Sequence, residues 1–244
     1  MNIINAVGQY KADYTTPLGA HSLLIELPGT GRGPKVPIYL IPTWAAKDSC
    51  KKGAFKEDTH LLISGRLYLG KDYKMYVIPT QEVYAASPGL NLNHVSLAGG
   101  VGFIAEAHNP DVFNFGMMCQ APPQKVLEIS KEDRGPGFRI EAWGEDGKRM
   151  RHFLYQGRSL ALGGALKYEQ WEKNGEVNSR YKIRVKSNQY SFFGKSKPTA
   201  EQKDPPIASF DKPEIFDSPH QQSIAKPTTI SPDIKDPVDD GVPF

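Results

Sequence analysis

Two cysteines in 244 residues, Cys50 and Cys119, are too few for a disulfide framework and too far apart in sequence for a metal-ligand pair. The expected setting is a reducing cytoplasm. No apolar run approaches the roughly 20 residues of a membrane-spanning helix, and residues 1–10 have no basic stretch followed by an apolar core, so neither a membrane span nor a signal peptide is read. No nucleophile stands in a motif with a base, the six histidines are scattered, and Gly99-Gly100-Val101-Gly102 lacks the helix that a phosphate-cradling loop requires. These absences argue against an enzyme, and the expectation is no metal and no cofactor.

Glycine is nearly missing from the last fifth of the chain. Residues 195–244 hold Gly241 alone, against nine of the chain's 20 prolines, and strand periodicity stops there. Such a segment cannot bury a core and is expected to be a disordered, extended tail. The net charge of +3 conceals an asymmetry: the tail has six lysines and nine carboxylates, whereas residues 1–194 carry a net +6. A basic body before an acidic tail suits a polyanion-binding body, although many unrelated proteins share the pattern.

What is present is two-residue alternation. Residues 3–10, 21–27, 36–44, 60–69 and 74–84 read as five strands, with one or two helical turns somewhere in 45–58. After a linker containing Ser87-Pro88-Gly89 the pattern returns. In 138–143 Phe138, Ile140 and Ala142 alternate with Arg139, Glu141 and Trp143, which places Trp143 on the polar face. Met150, Phe153 and Leu154 then form one stripe of a short helix that Gly157 can end. Lys167, Glu169 and Trp171 share a face of the next strand, Asn174-Gly175 supplies a tight hairpin turn, and Arg180, Lys182, Arg184 and Lys186 line one side of the returning strand. Ordered matches suggest a duplication: Asn5-x-Val7 with Asn93-x-Val95, Arg32-Gly33-Pro34 with Arg134-Gly135-Pro136, Trp44 and Gly65 with Trp143 and Gly164, Leu67 with Leu166, and Tyr84 with Tyr190. Residues 1–86 and 87–194 are therefore expected to be two folding units, followed by the tail at 195–244.

The second half and the tail tip resemble bacterial single-stranded DNA-binding protein. The likeness rests on Asn93-x-Val95, Trp143-Gly144, the helix leading into Gln156-Gly157-Arg158-Ser159, the strand Leu160-Ala161-Leu162-Gly163-Gly164-Ala165-Leu166, Trp171 with Asn174-Gly175, and the ending Asp239-Asp240-Gly241-Val242-Pro243-Phe244. The resemblance implies an all-β chain of two tandem OB-fold barrels, each of about five strands with a short capping helix, and a partner-docking tail tip. It implies base stacking by Trp143 and Trp171, with Arg139 at a position that is basic in the family. Two further stacking tryptophans of the family have no counterpart here; their places fall near Pro122 and Gly137. Two barrels per chain further resemble the duplicated form of the family, a homodimer with four OB folds.

Single-stranded nucleic acid needs aromatic faces for its bases and cations for its backbone. Trp143, Trp171 and Trp44 are the stacking candidates, with Trp44 the weakest because it shares parity with the inward Ile38 and Leu40. Arg139, Lys167, Arg180, Lys182, Arg184 and Lys186 are the phosphate candidates; the alternative for this row is the solvated face of a strand. Asp236, Asp239, Asp240, Pro243 and Phe244 are the docking candidates for replication and repair proteins. The resulting expectation is a non-enzymatic protein that binds single-stranded DNA without sequence preference, at the nucleoid or replication fork or encoded by a plasmid or phage. Its rivals are an OB-fold RNA chaperone and an OB-fold protein adaptor.

Overall fold

Alternating apolar and polar residues run through both halves of the chain, and the described residues are accordingly mostly strand. The computed structural model describes residues 1–17, 19–31, 33–70, 72–105, 109–119 and 137–194. The tail-tip candidates Asp236, Asp239, Asp240, Pro243 and Phe244 lie outside the described residues, as do Arg32, Pro122 and the motif Arg134-Gly135-Pro136.

The first half comprises β1 (Asn2–Thr15), β2 (His21–Leu27), β3 (Val36–Leu40), β4 (His60–Leu69), β5 (Met75–Pro79) and a two-residue β6 (Tyr84–Ala85). Strand β1 pairs antiparallel with β2, β2 with β3, β3 parallel with β5, β5 antiparallel with β4, and β4 returns to β1. That circuit closes a five-stranded barrel with the OB connectivity. The second half repeats it with β7 (Asn93–Ile104), β8 (Val112–Cys119), β9 (Phe138–Trp143), β10 (Ser159–Lys173) and β11 (Glu176–Phe193). Helix α1 (Gly144–Phe153) lies between β9 and β10, where its Met150 and the following Leu154 are buried, while Phe153 of the expected stripe stays exposed. In the first half turns replace the helix, and Ala46 and Cys50 are the buried residues there.

The β10–β11 hairpin turns through Asn174 and Gly175, both at positive φ (56° and 80°), as a two-residue turn of this type requires. In each barrel the fourth and fifth strands approach closely at a glycine. A Cβ on Gly65 would stand 2.5 Å from the Ile78 carbonyl oxygen, and one on Gly164 would stand 2.5 Å from that of Arg184, so only glycine lets the two backbones approach this closely.

The barrels are joined through their first strands and belong to one compact unit. Strand β1 runs antiparallel to β7, with Asn2 opposite Leu97, Ile4 opposite Val95 and Ala6 opposite Asn93. In the same register Asn2 and Asn93 do the same job. The Asn2 amide donates to the Leu67 carbonyl (2.7 Å) and accepts from its N–H (3.2 Å); the Asn93 amide does likewise with Leu166 (2.8 and 2.9 Å). The two barrels therefore match Asn2 with Asn93 and Ile4 with Val95, three residues away from the Asn5–Asn93 match suggested by the sequence. A local pseudo-twofold axis passes through the Ile4–Val95 pair. The difference is an odd number of residues, so Asn5 alternates to the face opposite that of Asn2 and Ile4. Away from the ladder, the Tyr181 hydroxyl donates to the Pro37 carbonyl at 2.7 Å, so the second barrel's hairpin also touches the first barrel.

Asn93→Ala leaves the Leu166 N–H and carbonyl without their side-chain partner, and each such buried group costs about 1–3 kcal/mol. The expected result is a lower urea midpoint at unchanged slope; a midpoint equal to that of the parent chain contradicts this role.

Candidate nucleic-acid interface

Strands β9, β10 and β11 lie side by side on the second barrel, and the residues that alternate away from the core form one polar face. Gly144, at φ 56°, turns the chain from β9 directly into α1, which leaves Trp143 at the surface on the last residue of the strand. Trp143 is 45% exposed and Trp171, in the distal half of β10, is 39% exposed. Each indole has an arginine over its ring: the Arg184 guanidinium lies 4.9 Å from the Trp143 ring centroid and the Arg180 guanidinium 4.9 Å from that of Trp171.

Two carboxylates occupy the middle of this face. Glu141, with a side chain only 3% exposed, accepts from Arg184 Nε (2.9 Å) and Lys182 Nζ (3.2 Å) and lies 3.6 Å from Lys167 Nζ. Glu169 pairs with Arg180 Nε (2.8 Å), Lys182 Nζ (3.0 Å) and Lys167 Nζ (3.0 Å). The two tryptophans are thus the ends of one connected series, Trp143 to Arg184, Glu141, Lys182, Glu169, Arg180 and Trp171. Burial by itself raises the Glu141 carboxyl, but a Trp143 side-chain hydrogen bond and the surrounding cations outweigh it and hold the group below the usual carboxylate range. Burial likewise opposes ionisation of Glu169, yet hydrogen bonds from Arg180, Lys167 and Lys182 bring its pKa down to about 2.

The row proposed from sequence as a phosphate track therefore has a composite character. Lys167, Arg180, Lys182 and Arg184 are all tied to Glu141 or Glu169, whereas Lys186 is exposed at the end of the row. Arg139, half-buried in β9 opposite Gly116, alternates onto the same side as Glu141. The two glutamates were legible as members of this face, since Glu141 alternates with Arg139 and Trp143, and Glu169 with Lys167 and Trp171. Their role as the hubs depends on the cross-strand register, which the sequence does not state.

In the first barrel the same face is built differently. Leu40 pairs with Val77 as Ile140 pairs with Ile183, and Leu67 and Leu166 occupy matching places opposite them. Position for position, Tyr39, Ile41, Tyr68, Tyr76 and Ile78 stand where the second barrel has Arg139, Glu141, Lys167, Lys182 and Arg184. Ile41, Tyr68, Tyr76 and Ile78 pack into a small buried cluster with Tyr39 against it. Lys74 lies over the rings of Tyr14 (4.6 Å) and Tyr39 (5.2 Å), and Tyr76 donates to Asp72 at 2.7 Å. This pairing also puts Thr43, and not Trp44, in the place of Trp143. Trp44 lies beyond β3 in the following turn and is 89% exposed, so the inward direction suggested by parity ends with the strand.

Because both glutamates have folded-state pKa values below their ordinary values, they stabilise the fold above about pH 4.5, and that contribution disappears as the pH falls toward the folded value, about 2 for Glu169. Thermal melting followed between pH 6 and 2 is expected to show this loss, and Glu169→Gln to remove part of the pH dependence in that window. A Glu169→Gln profile parallel to the parent's speaks against the network.

Comparison with known proteins agrees with this topology. No protein-family model matches the chain. It is 24% identical over 116 residues to single-stranded DNA-binding protein 1 of Synechocystis, covering 46% of this chain and 92% of the relative. It is 29% identical over 85 residues to the single-stranded DNA-binding protein of Thermosynechococcus vestitus, covering 34% of this chain and 67% of the relative. Among solved structures, the wild-type single-stranded DNA-binding protein of Thermus aquaticus matches with a TM-score of 0.54 at 16% identity, over 82% of this chain and 96% of its own. A deletion variant of that protein matches with a TM-score of 0.53 at 16% identity, over 82% and 98%. At that identity the structural match speaks for the fold alone. In sequence the chain is thus similar to cyanobacterial single-stranded DNA-binding proteins, and in fold to that of Thermus aquaticus.

Proposed function

We propose that this chain is a non-enzymatic binding protein for single-stranded DNA, without sequence preference, and that bases stack on Trp143 and Trp171. The observation that carries the reading is the pair of half-exposed indoles at the two ends of one cation-rich strand face. A flat aromatic accepts any base, because every base has a π surface, and cations between two such platforms favour the phosphates that link the bases. The names of the cyanobacterial relatives support the same ligand. Trp44, fully available beyond β3, is a third stacking candidate, on the first barrel. Arg139 and Lys186 flank the face as phosphate contacts, and Lys167, Arg180, Lys182 and Arg184 supply the rest of its positive charge.

Oligo-dT is expected to quench tryptophan fluorescence, and Trp143→Ala or Trp171→Ala to weaken binding by about 1–3 kcal/mol each. Duplex DNA is expected to compete poorly, and RNA of equal length to bind more weakly than oligo-dT. Parental affinity in both alanine variants refutes the stacking assignment, and a preference for RNA favours an OB-fold RNA chaperone.

The reading extends to assembly and partners. Two barrels per chain suggest a homodimer presenting four, with a mass of about 54 kDa, twice the 27.0 kDa of one chain. Light scattering that gives a monomer or a tetramer contradicts it. The acidic ending that includes Asp236, Asp239, Asp240, Pro243 and Phe244 is a docking peptide for replication and repair proteins: the carboxylates steer it to a basic surface and Phe244 enters an apolar pocket. Deleting Phe244 is expected to abolish recovery of such partners and to leave affinity for oligo-dT unchanged; undiminished recovery places docking elsewhere in the chain.

A further inference from the structure

Carboxylates in the centre of a phosphate-binding face are at first sight a liability, because each repels the ligand's backbone. We infer that Glu141 and Glu169 are positioning residues for base stacking, holding Arg184 and Arg180 against one face of Trp143 and Trp171 so that each indole presents its other face to a base. The inference rests on the single-stranded DNA reading of the same face and adds to it a role for the two acidic residues.

Four observations combine. Both arginines use Nε to reach their glutamate, at 2.9 and 2.8 Å, and both guanidinium carbons lie 4.9 Å from the indole centroid, so the same arrangement occurs at each end of the face. The arginine side chains are 36% and 39% exposed, and without an anchor such long chains would sample many rotamers. The anchors are themselves fixed: Glu141 and Glu169 share Lys167 and Lys182, which are only 19% and 11% exposed. Finally, the carboxylates remain ionised through burial, since the cations around them keep both below the usual range.

The physical consequence is preorganisation. A base arriving at Trp171 finds a ring already backed by a cation on the far side, and the entropy of fixing Arg180 is lost on folding instead of on binding. Arginine suits this task and lysine does not, because the planar guanidinium both forks toward a carboxylate and stacks on a ring. The cost falls on phosphate recognition. Four cations offset by two carboxylates leave a net charge of +2 in the network, so the face engages the backbone less strongly than its count of basic residues suggests.

The test turns on the sign of one substitution. If Glu169 merely repels phosphate, Glu169→Gln tightens oligo-dT binding and leaves the fluorescence quenching per bound oligonucleotide unchanged. If it positions Arg180, Glu169→Gln weakens binding about two- to fivefold, the scale of one exposed cation–π contact, and reduces the quenching, whereas Glu169→Asp restores most of both. Arg180→Lys keeps the charge and loses the stack, so it is expected to behave like Glu169→Gln. Glu169 and Arg180 are partly exposed, and a thermal melt of each variant checks that the fold is retained; Arg180→Lys leaves every buried carboxylate a cation nearby and serves as the second arm. Tighter binding by Glu169→Gln, or Arg180→Lys indistinguishable from the parent, overturns the inference. Trp171→Ala measured alongside separates the two claims: parental affinity in Trp171→Ala means that the stacking assignment itself fails, whatever the glutamate variants do.

Discussion

The antiparallel ladder between β1 and β7 is the constraint on which the rest of the molecule depends. Five residue pairs centred on Ile4 and Val95 join the first strands of the two barrels, so each barrel's own closure and its junction with the other are made by the same two strands. The asparagines Asn2 and Asn93 then tie those strands to Leu67 and Leu166 through paired amide bonds. A slip of one residue by β1 or β7 within its own barrel would exchange that strand's inner and outer faces and separate its asparagine amide from its partner. Register is thus fixed from two directions, by the buried Ile4 and Val95 side chains and by the amides.

On this scaffold the two barrels differ on the face that their third, fourth and fifth strands share. The second carries a charged network terminated by indoles; the first carries buried tyrosines and isoleucines at the matching positions. Both barrels keep what the backbone requires, such as the glycines that let strands approach closely at Gly65 and Gly164, and they differ at the outward positions. For the proposed function this makes the barrels unequal. The second offers bases a cation-backed ring, and the first offers Trp44, exposed in the turn after β3.

Much of this was legible in the sequence. Strands β2 and β4 have the bounds that alternation predicts, the Asn174-Gly175 turn is where it was expected, and Trp143, Trp171 and the basic row share one face, because period two assigns sides with no knowledge of partners. Three features escaped for one reason, that pairing between strands distant in sequence is not written in local pattern. The Asn2–Asn93 equivalence needed the contact with Leu67. The matching of Thr43 with Trp143 needed the β3–β5 register, since equal spacing from Trp44 and Trp143 to a glycine conceals a one-residue difference in the strands. The hub role of Glu141 and Glu169 needed three strands placed side by side.

The central claim is that Trp143 and Trp171 are the places where bases rest. The most direct measurement is photocrosslinking of the full-length chain to oligo-dT carrying 5-bromodeoxyuridine, with the attached residues located by mass spectrometry, because crosslinking requires the base to lie against the ring. The account predicts adducts at Trp143 and Trp171, with Trp44 the next most frequent. Adducts confined to Tyr14, Tyr39 and the other tyrosines of the first barrel, with none on β9 or β10, would contradict it.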